Sequence, residues 1–294
     1  MTSAPGSILC FGEVLWDLLP DALVPGGAPL NVAYHLHRLG QPVRVVSAVG
    51  TDRLGDELLR CAAHWGLPAD GIARRADLPT GEVRASVGPD GEARYDIAAS
   101  SAWDRIELDA PTLAAAATAR ALVFGSLAQR SAANRAALER LRAALPAAAL
   151  RVFDVNLRPP HDDLDLVRSL ARHATVLKLN AAEAERLARG GAVGAEAQAR
   201  ALAAQTGCTL VCVTAGARGA GLLRANRWHW EPGRPVAVVD TVGSGDAFLA
   251  ALVSHTLEGR WADAEILARA CRLGEWVATQ RGATPVYDSS TPVS

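Results

Sequence analysis

The stretch Asp240-Thr241-Val242-Gly243-Ser244-Gly245-Asp246-Ala247-Phe248 carries more chemistry than any other part of this 294-residue chain. The apolar run Val236 to Val239 leads into it, and an Ala/Leu-rich helical pattern, Ala247 to Leu257, leads out. The spacing predicts a strand, a glycine turn and a helix. Small residues at Gly243, Ser244 and Gly245 let backbone N–H groups approach a ligand, and a helix N-terminus adds partial positive charge. That is a cradle for an anion. Asp246 sits inside it. A fixed carboxylate opposes simple phosphate binding, yet it suits a general base on a hydroxyl beside a phosphoryl group in transfer. The implied chemistry is phosphoryl transfer to an alcohol.

Further motifs follow other apolar runs. Gly26-Gly27-Ala28-Pro29-Leu30-Asn31 is a second glycine turn before a helix, and Asn31 is its first side chain able both to donate and to accept. With Asp17 upstream it offers a place for sugar hydroxyls. Phe153-Asp154-Val155-Asn156-Leu157-Arg158 places Asp154, Asn156 and Arg158 on one side of a strand end by the period of two. Arg158 is then free for a ligand oxygen or phosphate, unless it pairs with Asp154. Lys178-Leu179-Asn180-Ala181-Ala182-Glu183 has the spacing of a capping box, Asn180 with Glu183. The same residues offer Lys178 and Asn180 to phosphates. Glu183 suits a hydrated Mg²⁺, which keeps most of its waters and needs few protein ligands.

Thr214-Ala215-Gly216-Ala217-Arg218-Gly219-Ala220-Gly221 reads GxxGxG, a turn placed to cover nucleotide phosphates. It is not the GxGxxG of dinucleotide enzymes, no acidic residue of the ribose-binding type follows, and no GxxxxGK[ST] occurs. A Rossmann dehydrogenase and a P-loop enzyme are thereby disfavoured. His35, His37 and the loop His161-Asp162-Asp163 read as structural or solvated.

The bulk numbers agree with a small-molecule enzyme. Half of the residues are hydrophobic and the formal net charge is −1, so no basic field favours nucleic acid or an acidic membrane surface. No apolar run approaches the roughly 18 to 20 residues of a membrane span. The N-terminus shows no signal peptide, and the five cysteines read as reduced, buried thiols of a cytoplasmic protein. Cys208 and Cys212, four apart on an expected strand, should face the same way and pack in the core.

These residues need elements to position them. Apolar runs alternate with Ala/Leu/Arg helical patterns from Ser7 to Thr214, as at Val43–Val49, Ala121–Phe124, Arg151–Val155, Val176–Leu179 and Leu210–Thr214. The alternation predicts one α/β domain over 1–294, with an open, mostly parallel sheet flanked by helices and ligands at the carboxyl ends of its strands. Two segments break it, at about 12–20 and 80–100. The second reads as a hairpin around Pro89-Asp90-Gly91. Together they predict a small β lid. The Ala-rich stretch Leu113–Ala121 reads as a surface helix.

Taken together, DTVGSGDAF, GGAPLNVAYHLHRLG, VGTDRLGDE, FGEVLWDLLP, SAWD at Ser101–Asp104 and DVNLRP resemble the ribokinase-like (PfkB) family of ATP-dependent carbohydrate kinases, most closely bacterial fructokinases. The resemblance runs from Leu9 to about Pro285. It implies Asp246 as base and Gly243, Ser244 and Gly245 as the anion hole. It also implies Asp17, Gly26, Gly27, Asn31 and Arg158 around a sugar. Lys178, Asn180, Thr214, Gly216 and Gly219 would serve ATP, and Glu183 Mg²⁺. Asp240, with carbonyls near Val242 and Ala283, would hold a monovalent cation such as K⁺. Dimerisation through the lid is a further implication. Fructose is the implied acceptor; ribose, a nucleoside or 2-keto-3-deoxygluconate is the alternative. A non-catalytic sugar or nucleotide sensor is a reading of another class. Two departures stand out: Cys271-Arg272-Leu273 replaces the Asn often found near adenine, and Pro160-His161-Asp162 replaces the Leu-Trp of many fructokinases.

Overall fold

The computed structural model describes residues 6–18, 22–87 and 93–292. In chain order its strands are β1 (Ile8–Phe11), β2 (Leu15–Leu18), β3 (Leu23–Gly26), β4 (Val43–Gly50), β5 (Ile72–Arg75), β6 (Gly81–Val87), β7 (Ala93–Ile97), β8 (Ala121–Gly125), β9 (Leu150–Asp154), β10 (Val176–Asn180), β11 (Leu210–Thr214), β12 (Gly219–Arg224) and β13 (Arg227–Pro232). The helices are α1 (Ala28–Arg38), α2 (Arg53–His64), α3 (Ala110–Ala116), α4 (Ala132–Ala144), α5 (Leu164–Ala171), α6 (Ala181–Leu187), α7 (Ala195–Thr206), α8 (Ser244–Glu258) and α9 (Asp263–Ala278).

Among the described residues the main sheet runs β13-β12-β11-β10-β9-β8-β1-β4-β5. Pairings from β5 through to β11 are parallel, and β12 and β13 add an antiparallel edge. Alternate residues of each central strand feed opposite cores. Val152, Val176 and Cys212 join α1, α2, α8 and α9 on one face; Phe153, Leu177 and Val213 join α4, α5 and α7 on the other. This is the expected α/β architecture.

Helix α8 carries the central motif and is apolar around nearly its whole circumference, as a helix walled in on several sides must be. Every residue from Ala247 to His255 is buried, against α1, α9 and the sheet. Each large aliphatic side chain so placed contributes about 1.5–3 kcal/mol, and the helix is correspondingly fixed.

A second sheet, β3-β2-β6-β7, stands off the first. It is the small second sheet expected from the segments at about 12–20 and 80–100, with β3 as a strand not read from the sequence. The Pro89-Asp90-Gly91 turn and Leu19-Pro20 lie outside the described residues. Its root is firmly built. Asp52 accepts from Gly55 N at the start of α2 and from Thr80 N at the start of β6, both at 2.8 Å, and Trp16 Nε1 donates to Leu54 O at 2.9 Å. Trp103, fully buried, lies beneath Arg130, which pairs with Asp104 at 2.7 Å. The VGTD and SAWD motifs therefore anchor this second sheet.

Some expectations need correction. Val236–Val239 forms no strand; it is exposed coil, with Val238 60% and Val239 63% accessible, and Val239 N donates to Ala278 O. A run of valines alone does not bury itself where no neighbouring strand offers a ladder. Cys208 and Cys212 face opposite cores, because Cys208 precedes β11 and the period of two does not reach it; both thiols are free and buried. The helix expected over Leu113–Ala121 ends at Ala116, and Ala121 opens β8. Among the described residues no helix is long and apolar enough to cross a membrane.

Candidate active site

Gly243 adopts φ 78° and turns the chain into α8. That left-handed conformation disfavours any side chain, and a β-carbon there would lie 2.5 Å from Ala283 Cα. No side chain caps α8, so the backbone N–H groups of its first turn point outward without helical partners. Asp246 stands in that turn. Asn31 Nδ2, from α1, donates to Asp246 Oδ2 at 2.9 Å, and Asn31 Oδ1 has no protein partner. Asp246 and Asn31, far apart in sequence, thus meet directly.

Burial raises the Asp246 pKa to about 6, and the negative charge of Asp154 pushes the same way; Lys178, Asn31 and Arg158 pull it down. A carboxylate tuned close to neutrality is well matched to accept a proton from a hydroxyl.

Lys178 is buried, and its Nζ holds Asp154 at 3.0 and 3.1 Å. The parallel register sets these residues side by side on β10 and β9. Asp154 therefore pairs with Lys178, not with Arg158. A β-carbon on Gly245 would lie 3.2 Å from Lys178 Nζ, so the ammonium abuts the anion turn. Asn156 leaves the strand with φ 39°, which breaks the alignment expected for Asp154, Asn156 and Arg158. Arg158 is exposed, and its charge lowers the pKa values of Glu13, Asp17 and Asp246 from across the opening.

Asp17 lies on β2, half-buried, with its carboxylate against Gly26; burial raises its pKa to about 6. Gly27, φ 106°, leaves no room for a side chain beside the carbonyl of Glu13. Glu13, in the FGEVLWDLLP motif but given no role from the sequence, lies close enough to Arg158 and Asp246 to feel their charges. It is 3% exposed, its Oε2 has no partner, and burial raises its pKa to about 7. The N–H of Ala28 at the start of α1 stabilises its charged form.

Glu183 and Asn180 form the expected capping box. Glu183 Oε2 accepts from Asn180 N at 2.9 Å, and Oε1 from Leu157 N at 2.7 Å. Asn180 and Thr214 are register partners at the carboxyl ends of β10 and β11, and the Thr214 hydroxyl donates to Leu179 O. Gly216 and Gly219 follow with φ 58° and 111° as β11 turns into β12. Asp240 accepts from Val242 N at 3.0 Å and Gly282 N at 3.1 Å, stapling the turn to the C-terminal loop. A separate cavity of about 130 Å³, lined by Val167, Leu177, Leu187 and Leu202, lies on the other face of the sheet and holds none of these residues.

A family model described as "pfkB family carbohydrate kinase" matches residues 21–289. The chain belongs to the pfkB family of carbohydrate kinases. Fructokinase-2 of Solanum habrochaites is 28% identical over 314 residues, covering 98% of this chain and 95% of its own. The crystal structure of fructokinase with bound ATP from Xylella fastidiosa superposes with a TM-score of 0.80 at 27% identity, over 95% of this chain and 94% of that one. A Vibrio cholerae O395 fructokinase variant, bound to fructose, ADP and potassium ion, shares the fold with a TM-score of 0.82 at 23% identity, over 97% and 96%. In this pfkB kinase, Asn31, Lys178 and Arg158 lie near Asp246, Arg158 also near Asp17, and Lys178 against the Gly243–Gly245 turn. Asn180, Thr214, Gly216 and Gly219 gather at the neighbouring strand ends.

Proposed function

We propose that this pfkB kinase transfers the γ-phosphoryl group of ATP to a hydroxyl of a neutral sugar, and that fructose, giving fructose 6-phosphate, is its substrate. The contact of Asn31 with Asp246 at the uncapped start of α8 carries the reading. Asn31 fixes the carboxylate. The attacking hydroxyl gives its proton to Asp246 as its oxygen bonds to the γ-phosphorus, and the bond from that phosphorus to the bridging oxygen breaks to release ADP. Backbone N–H groups at Gly243–Gly245 and the Lys178 ammonium face the charge on the transferring group.

Mg²⁺ would neutralise phosphate charge. Among the described residues no group of three or more His, Cys, Asp or Glu is arranged to hold a metal ion. Glu183 already accepts a backbone N–H on each oxygen, which suits contact through a water and not direct ligation. Asn180, Thr214, Gly216 and Gly219 would line the nucleotide side, and Cys271-Arg272-Leu273 takes the region where many family members carry an Asn near adenine.

A monovalent cation fits less well. Both Asp240 oxygens accept backbone N–H groups, and the Ala283 carbonyl accepts from His35. Two of the donors expected for such an ion, the Asp240 carboxylate and the Ala283 carbonyl, already accept hydrogen bonds within the protein.

Charge favours a neutral acceptor over a sugar acid. Asp17, Glu13 and Asp246 all lie near Arg158, and Asp154 is already paired with Lys178, so three carboxyl groups stand against one guanidinium. Arg84 on the lid is exposed, and the Arg94 side chain lies outside the described residues. The test is ADP release with Mg-ATP and a panel of fructose, ribose, adenosine, tagatose and 2-keto-3-deoxygluconate. Fructose should give the highest kcat/KM. Preference for the sugar acid would overturn the charge argument, and nucleotide or sugar binding without turnover would mark a sensor.

A further inference from the structure

The imidazole of His35 is completely buried in the middle of α1. Such a group needs partners for both ring nitrogens. Nε2 lies 2.9 Å from Ala283 O and Nδ1 lies 2.8 Å from the Tyr287 hydroxyl. A carbonyl only accepts, so Nε2 carries the proton. Burial pushes the His35 pKa down to about 4, so the ring is neutral and Nδ1 accepts from the Tyr287 hydroxyl. One residue earlier, the Tyr34 hydroxyl donates to Pro285 O at 2.6 Å. These bonds strap the 283–287 loop to a single turn of α1.

The same loop walls the anion turn. Ala283 packs against Gly243, and the preceding Gly282 N donates to Asp240 at 3.1 Å. Asn31 and His35 are four residues apart, hence on one face of the helix. One end of that face holds the base, through the bond from Asn31 to Asp246. The other holds the wall behind Gly243. A rigid helix thus sets the distance between the group that takes the proton and the groups that face the phosphoryl charge.

We propose that His35 is a positioning residue for phosphoryl transfer, whose imidazole clamps Ala283 against Gly243 and so fixes the anion turn relative to Asp246. The proposal rests on the kinase reading above. It differs from a packing role in what it predicts for the conservative variant. The Nε2 of a glutamine reaches about as far as the imidazole Nε2, whereas an asparagine stops at the position of Nδ1.

Steady-state kinetics with Mg-ATP and the best acceptor of the panel should be compared for wild type, H35Q, H35N, H35A and Y287F. H35N and H35A should lose roughly tenfold or more in kcat, the scale of a small misplacement of reacting groups, with KM for sugar and ATP little changed. H35Q should recover most of that loss, and Y287F should show a smaller loss of the same kind. Should H35A fail to fold by circular dichroism, the H35Q and H35N pair decides. The proposal is overturned if H35N turns over like wild type, if H35Q is no better than H35N, or if the loss appears in the sugar KM instead of kcat. A wild type that phosphorylates no acceptor sinks the kinase reading; an active wild type with an indifferent H35N sinks only this one.

Discussion

Asn31 Nδ2 and Asp246 Oδ2 lie 2.9 Å apart although 215 residues separate them in the chain. The bond turns one carboxylate oxygen toward the amide and leaves the other for a proton. Asn31 Oδ1 stays buried and without a protein partner.

The first prediction concerns this pair. Asp246→Ala should still bind sugar and nucleotide, measured by calorimetry, yet lose at least about 10²-fold in kcat, the usual worth of a positioned base. Asn31→Ala should lose less in kcat and also weaken sugar binding. Near-normal turnover in Asp246→Ala would remove the residue from the chemistry.

The pH dependence follows from the raised carboxyl groups. Asp246 must be ionised to act, so kcat/KM for the sugar should fall as pH drops through about 6. The stability sign is opposite. The folded state holds protons on Asp246, Asp17 and Glu13 that the unfolded state has released, so stability declines as pH rises from about 4 toward about 6 for the aspartates and about 7 for Glu13. Asp246→Asn should therefore melt a few degrees above wild type at pH 8 and near it at pH 4. A variant that melts lower at both would contradict the burial assigned to this group.

Much of this was legible in the sequence, and the reasons differ by residue. Asp246, Asn31 and Asn180 each sit beside a glycine turn or a cap, where local spacing fixes the backbone and hence the side chain. Lys178 and Asp154 were legible as polar residues on strand ends, but their pairing depends on which strands are neighbours, and that is set by the whole sheet. The β12–β13 hairpin turns at Ala225 and Asn226, with φ 46° and 62°; Ala-Asn is a weak turn signal beside Asn-Gly. Val236–Val239 misled because apolar content reports burial only where a partner surface exists. Glu13 stands in the FGEVLWDLLP motif, yet nothing in that spacing gave it a role. It became visible only when β1, α1 and α8 were brought together.

Lys178→Met tests the buried pair. Removing one partner of such a pair strands the other charge, at a cost of about 3–5 kcal/mol. The unpaired Asp154 would also push the Asp246 pKa upward, since Asp154 already raises it and Lys178 lowers it. The melting midpoint should drop by several degrees, and the acid limb of kcat/KM should move to higher pH. Asp154→Asn with Lys178→Met should recover stability better than either alone. An unmoved acid limb in Lys178→Met would show that these charges do not reach Asp246.

Turnover should not require an alkali cation. Asp240 and Ala283 O already accept from Val242, Gly282 and His35, so the turn is stapled by hydrogen bonds within the chain. Rates in potassium, sodium and tetramethylammonium chloride at matched ionic strength should agree within about twofold, well under 1 kcal/mol. A strong stimulation by potassium would mean that an ion replaces or reinforces those bonds.

Glu13 gives the last prediction. Helix α1 begins at Gly27 with no side-chain cap and no acidic residue in its first turn. Glu13 supplies what is missing from outside the helix, because its carboxylate is stabilised by the N–H of Ala28. Loss of a cap costs about 0.5–2 kcal/mol in general, and here the turn that would loosen is the one that carries Asn31. Glu13→Ala should accordingly raise the sugar KM while leaving the ATP KM alone. Glu13→Gln keeps an acceptor for Ala28 and removes a buried negative charge, so it should bind sugar better than the alanine variant and melt above wild type at pH 8. If both variants shift sugar and ATP constants together, Glu13 serves the fold at large and not the sugar site.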